Sequence, residues 1–256
     1  MKKIVLSMAV IATSMVLQAA DTSIISGGIV SGEVKVMHII SDNDNGWTPY
    51  TGSGYLGKIK YVTPEILDGL KLGAAFYING GTGFTDWDGG YKTAGGMFVA
   101  ANGEEVSQLG EAYLEYKSDM VNAKAGRQIL KTPLTQIKTS LMPNFYEAYM
   151  LDTNIVPGFA FNLGQITNRS YGSRSATDYA LIGEKTGTAG VVQKMNTTIN
   201  QAEFVSIAEG AGEFNEKTNG ITVVGATYKG VENLKVSIWD YQAWDIVNNL
   251  YAEVEY

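Results

Sequence analysis

The 256-residue sequence contains no cysteine. That excludes a disulfide framework, thiolate chemistry and any Cys-ligated metal. Histidine occurs once, at His38, so a Ser-His-Asp arrangement would have to use that residue. Arginine is confined to Arg127, Arg169 and Arg174, and proline to 5 positions. Charged residues make up 18% of the chain, and the formal charge is −7. A chain this acidic lacks the basic face that general nucleic-acid binding needs. After residue 20, no apolar run is long enough to span a membrane as a helix. What the chain does have is 30 Gly and 15 Tyr, a composition that suits strands and turns.

The first twenty residues differ from the rest. Lys2 and Lys3 form a basic start, Ile4 to Leu17 is mostly apolar, and Gln18-Ala19-Ala20-Asp21 supplies small residues before a polar one. This order and length read as a secretory signal peptide over residues 1–20, which leaves 21–256 as the mature domain.

From about residue 25, apolar residues recur at every second position. In GYLGKIKYV, Ile59 and Tyr61 oppose Lys58 and Lys60. In LKLGAAFYI, Leu70, Leu72 and Phe76 oppose Lys71, Tyr77 and Asn79. In GEAYLEYK, Leu114 and Tyr116 oppose Glu111, Tyr113, Glu115 and Lys117. VNAKAG, FAFNLG, LKVSIW and NLYAEVEY alternate too, while 25–40, 145–153 and 220–229 read as strands with blurred faces. The count is about ten.

The connections decide between a soluble sandwich and a membrane barrel. Short turns at 63–69, 118–120, 154–158 and 229–233 take turns with long stretches at 41–53, 80–109, 131–144 and 165–218. Compact soluble domains rarely carry several loops that long. Outer-membrane barrels do so regularly, with strands of ~10 residues crossing a ~25 Å apolar band. The expected fold is therefore all-β, an antiparallel transmembrane β-barrel. Its apolar face should touch lipid. Lys58, Lys60, Lys71, Glu111, Glu115, Lys117, Lys124 and Lys235 should line the inside.

Several of these segments together resemble the OprD-type outer-membrane porins: YVTPEILDGLKLGAAFY, LGEAYLEYK, AGRQILKTPL, MPNFYEAYML and ENLKVSIWDYQAWDIVNNLYAEVEY. The resemblance runs from about Gly54 to the end, more loosely over 165–218. Its most specific pieces are GRQILKTP, Gly126 to Pro133, and Trp239-Asp240-Tyr241 with Asp245, Ile246 and Asn248. It implies a 16–18-stranded barrel with an aqueous lumen. It also implies passive, selective diffusion of small polar or charged solutes (amino acids, carboxylates or similar) into the periplasm, with no enzyme activity and no cofactor. The loop at roughly 131–144 would fold inward and narrow the pore. Lys124, Arg127, Lys131 and Lys138 are the candidate constriction residues. Strict alternation puts Arg127 on the lipid side, so either a bulge shifts it or it lies near the rim. Family members often line one wall with an arginine ladder. With three arginines, this chain would rely on lysines, which lack the bidentate fork.

By that resemblance the strand NLYAEVEY is internal, so the chain is expected to be truncated. A true C-terminal aromatic at Tyr256, closing a small ten-stranded barrel, is the alternative. Such a barrel would be an outer-membrane hydrolase or a structural or adhesin barrel. Implied partners are outer-membrane lipids, lipopolysaccharide and a small solute; monomer and homotrimer both stay open. The implied location is the outer membrane of a Gram-negative bacterium, reached through Sec export. Gly183-Glu-Lys-Thr186 lacks the first glycine of a P-loop. Asp42-Asn-Asp-Asn-Gly46 lacks the twelfth-position glutamate of a calcium loop. Neither predicts a metal.

Overall fold

The computed structural model describes residues 8–13, 27–41, 50–82, 105–136, 141–170, 172, 203–210 and 218–256. Its strands are β1 (Met8–Thr13), β2 (Ile29–Ser41), β3 (Tyr50–Val62), β4 (Leu70–Gly81), β5 (Val106–Lys117) and β6 (Val121–Gln128). They continue as β7 (Phe145–Thr153), β8 (Phe159–Ser170), β9 (Val205–Ser206), β10 (Ile221–Val231), β11 (Leu234–Ala243) and β12 (Val247–Glu255). A single helical turn, α1 (Ile207–Gly210), follows β9. No helix among the described residues is long and apolar enough to cross a membrane.

The long strands form one antiparallel meander in chain order, β1-β2-β3-β4-β5-β6-β7-β8-β10-β11-β12, with β9 pairing the end of β8. No pairing joins β12 to β1 or β2 among the described residues. β1 lies within the segment read as a leader and pairs with β2 from Met8↔Ile39 to Thr13↔Val34.

The short turns collect at one end of the sheet and are bonded to one another. Lys117 N donates to Gly69 O, Asn154 N to Met120 O and Lys229 N to Gly158 O. The opposite end carries the long connections, plus one short turn, Trp244 to Ile246, that breaks the expected alternation. Asp245 there has φ 61° and Asn233 in the β10–β11 turn has φ 60°. Asn and Asp are the side chains that tolerate this conformation best after glycine.

The strand faces follow the sequence pattern. Ile59, Leu72, Phe76, Leu114, Val236 and Ile238 are exposed on one side. An apolar surface of this extent needs an apolar partner. The opposite face is concave. A flat sheet would hold strands three places apart at about 14 Å. Yet Tyr77 of β4 and Phe145 of β7 meet with ring centroids 4.7 Å apart. Ser170 Oγ of β8 donates to Gln108 Oε1 of β5 at 2.9 Å.

The concave face is not uniformly polar. Near the long-loop end, Tyr146, Ile166, Ile221, Val223 and Tyr241 point inward and are buried with Leu130. Leu141 and Met142 cover Leu56, Tyr77 and Phe145 in a second cluster. All three covering residues come from the segment between β6 and β7, which folds onto this face. That explains the blurred alternation over 145–153 and 220–229: both strands carry apolar residues on both faces, one set for the outside and one for the inturned loop.

Candidate pore wall and constriction

The inner wall of β2 to β6 is an interlocked set of lysines and glutamates. Register brings them together. β2 pairs Glu33 with Lys58, β4 stands between Lys60 and Glu111, and β5 pairs Glu115 with Lys124. Glu33 accepts from Lys58 at 2.7 Å and lies 2.9 Å from Lys35. Glu111 accepts from Lys60 and from the Tyr77 hydroxyl, both at 2.6 Å. Glu115 lies 3.0 Å from Lys124. The Tyr113 ring sits between two cations, with Lys60 at 5.0 Å and Lys124 at 4.3 Å from its centroid. A register shift between Ala75 and Phe76 admits Gly110 as an extra residue on β5. Glu111 is then buried to 8% side-chain exposure beside Lys60. A carboxylate this buried is tolerable only with both oxygens bonded.

Beyond β6, residues 129–136 turn into the concavity. Thr135 Oγ1 accepts from Thr132 N at 3.0 Å and donates to Leu130 O at 3.1 Å, which closes a tight knot. Tyr146 OH donates to Thr135 O, and Leu134 N donates to Tyr241 OH, each at 3.4 Å. The loop is thus moored to β7 and to β11. Below it, towards the short-turn end, lies a cavity of about 820 Å³ whose lining includes Lys131, Lys229, Lys235, Trp239, Tyr251 and Glu253. Lys235 is held by Glu255 at 2.7 Å and Glu253 at 3.4 Å. Lys131 and Lys229 are exposed and have no ion-pair partner among the described residues. Trp239 stacks on Tyr241, with centroids 6.2 Å apart. The indole lies across Gly225, where any Cβ would collide with it.

The other candidates fall elsewhere. Arg127 keeps strict register with Ala112 and Glu147, with no shift on either side of β6. It therefore shares the outward side with exposed Leu114 and Tyr149. It is next to last in β6, near the long-loop end. Its Nε donates to Glu147 at 2.9 Å, and its guanidinium lies 4.2 Å from the Phe204 ring centroid. Asn168 donates to the other Glu147 oxygen. Arg127 is thus a rim brace on the outside and not a pore-facing group. Lys71 pairs with Glu65 of a short turn at 3.2 Å. Lys117 is exposed beside the short turns, with no ion-pair partner among the described residues. Lys138 lies outside the described residues. Sequence reasoning passed over Glu33, Glu147, Lys229, Trp239, Tyr251 and Glu253 as site residues. Glu33 was discoverable, since Glu33 and Lys35 share one parity in GEVKV. Lys229 was hidden where a strand with blurred faces, 220–229, meets the turn 229–233. Among the described residues no group of three or more acidic or His side chains is placed to hold a metal.

No protein-family model and no curated protein matches this sequence. Solved structures do. Acinetobacter baumannii OccAB1 superposes with a TM-score of 0.60 at 15% identity, over 94% of this chain and 50% of that one. Pseudomonas aeruginosa OccK9 (OpdG) gives 0.59 at 15%, over 91% and 55%. Pseudomonas aeruginosa OpdK with vanillate gives 0.54 at 13%, over 88% and 51%. The fold is that of the OprD-type porins. The chain spans about half the length of these OprD-type structures.

Proposed function

We propose that the protein is an outer-membrane channel for passive diffusion of small polar or charged solutes, amino acids and carboxylates among them, and that it has no catalytic role. The observation that carries this reading is the inturned loop moored to Tyr146 and Tyr241 above a cavity of about 820 Å³, lined by two lysines that have no ion-pair partner among the described residues. Lys131 and Lys229 are the proposed contacts for a solute carboxylate, and Trp239 and Tyr251 offer apolar surface to its body. Fixed charges beside a solute path sort solutes by their local field. The OpdK structure holds vanillate, a small aromatic carboxylate, which agrees with that chemistry. Exposed apolar strand faces on the convex side support lipid contact and an outer-membrane location. Lipopolysaccharide, rather than a particular protein, is the proposed outer-leaflet neighbour.

Residues 1–20 are the proposed Sec leader, and 21–256 the barrel domain. Cleavage would uncover the edge of β2 that β1 covers, and N-terminal sequencing of the native protein tests it. The channel itself is tested with native protein in planar bilayers. Discrete conductance steps reduced by a small carboxylate support the reading. Steady absence of steps would refute it and favour a structural barrel.

A further inference from the structure

The wall lysines are not presented to the lumen as bare charges. Lys35, Lys58, Lys60 and Lys124 are met by Glu33, Glu111 and Glu115 at 2.6 to 3.0 Å. The side chains of Lys58, Lys60 and Lys124 are only 22%, 22% and 23% exposed, and those of Glu33, Glu111 and Glu115 are 22%, 8% and 19% exposed. Tyr113 takes up a further part of the field of Lys60 and Lys124 through its ring face. At a few ångström from the wall, each pair acts on a passing ion as a short dipole, whose field dies away faster than that of a charge. Lys35, Lys58, Lys60 and Lys124 against Glu33, Glu111 and Glu115 leave this stretch of wall nearly electroneutral.

We propose that Glu33, Glu111 and Glu115 set the charge selectivity of the channel by masking the wall lysines, so that this wall passes zwitterionic and neutral solutes as readily as anions. This rests on the channel reading above. It assigns the glutamates, through the lysine charge they cancel, a deciding share in which solutes the wall admits. The wall then differs from the Lys131–Lys229 cavity, where Glu253 and Glu255 pair with Lys235 and, among the described residues, neither Lys131 nor Lys229 makes an ion pair.

The test is the anion-to-cation permeability ratio of the full-length protein in a KCl gradient, read from the reversal potential. Swelling of protein-loaded liposomes in glycine against acetate is measured alongside. The combined Glu33→Gln, Glu111→Gln and Glu115→Gln variant is expected to raise the ratio about fivefold, the effect of an unmasked unit charge a few ångström from an ion in water. It should also shift swelling from glycine towards acetate. Gln at 111 still accepts from Tyr77, and the single variants serve where the triple one does not refold. Lys60→Met should move the ratio the opposite way. A conducting wild type whose ratio ignores both the glutamine variants and Lys60→Met overturns the inference alone. A wild type with no conductance overturns the channel and this inference together.

Discussion

Two groups of lysines in this protein sit on the same concave face and differ in everything else. Those of β2 to β6 are locked between glutamates and tyrosines, with Glu33–Lys58 and Glu115–Lys124 set by strand register. Of those around the cavity, Lys235 is paired with Glu253 and Glu255, whereas Lys131 and Lys229 belong to a loop and a strand end and bond to no acid among the described residues. Paired charges inside a wall hold the wall together, and removing one partner strands the other. Exposed charges without such partners add little to stability, and in the proposed channel they remain available to a solute. The comparison predicts that wall substitutions show up chiefly in stability and ion selectivity, and cavity substitutions chiefly in solute binding.

The largest effect should come from the strand that joins the two regions. Gly126 has φ 117°, and a Cβ there would run into the carbonyl of Ala112. Gly126→Val should cost about 3 kcal/mol. Urea unfolding of the protein in lipid vesicles should show it, with wall and loop lost in one transition. Next comes Glu111→Leu, which leaves the Lys60 ammonium and the Tyr77 hydroxyl without their shared acceptor. A loss of about 2 kcal/mol is expected by the same measurement. Glu111→Gln should lose clearly less.

Lys131→Met combined with Lys229→Met should leave the unfolding midpoint unchanged and weaken block by a small carboxylate about tenfold, since a hydrogen bond to a charged group contributes about 1.5 kcal/mol or more. Equal block in this variant and the wild type would remove the cavity from the account. The smallest effect is expected at the rim. Arg127→Met loses one ion pair and one ring contact, about 0.5 kcal/mol for a half-exposed group, with permeability ratio and solute block unchanged. A large fall in conductance would return Arg127 to the pore.

Much of this fold was legible in the residues. Period-two alternation located the strands, and the contrast between short turns and long connections gave the barrel class. What alternation could not supply was register. Lys60 and Glu111 are 51 positions apart, and only the pairing of β3, β4 and β5, with its extra residue at Gly110, brings them together. For the same reason, alternation put Lys58, Lys60, Glu111, Glu115 and Lys124 on one side without showing which of them pair. Arg127 shows the reverse. Parity alone put it on the outside, and the uninterrupted register of β6 keeps it there, whereas its place among the constriction candidates came from proximity to the loop in sequence. Lys229, Trp239 and Tyr251 became site residues only because residues 129–136 turn inward and roof them. No local pattern marks the far wall that a loop will face.

The absence of cysteine lets single introduced cysteines report which face of the sheet meets lipid. Single cysteines at Thr227 and Tyr251 would line the cavity side, and single cysteines at Val224 and Ile238 would lie on the exposed apolar side. A charged, membrane-impermeant thiol reagent is applied to the protein in intact outer membranes. Thr227→Cys and Tyr251→Cys should be modified, with conductance reduced. Val224→Cys and Ile238→Cys should react only after detergent extraction. Rapid modification of Val224→Cys and Ile238→Cys in the intact membrane, with Thr227→Cys and Tyr251→Cys protected, would put lipid on the opposite face of the sheet.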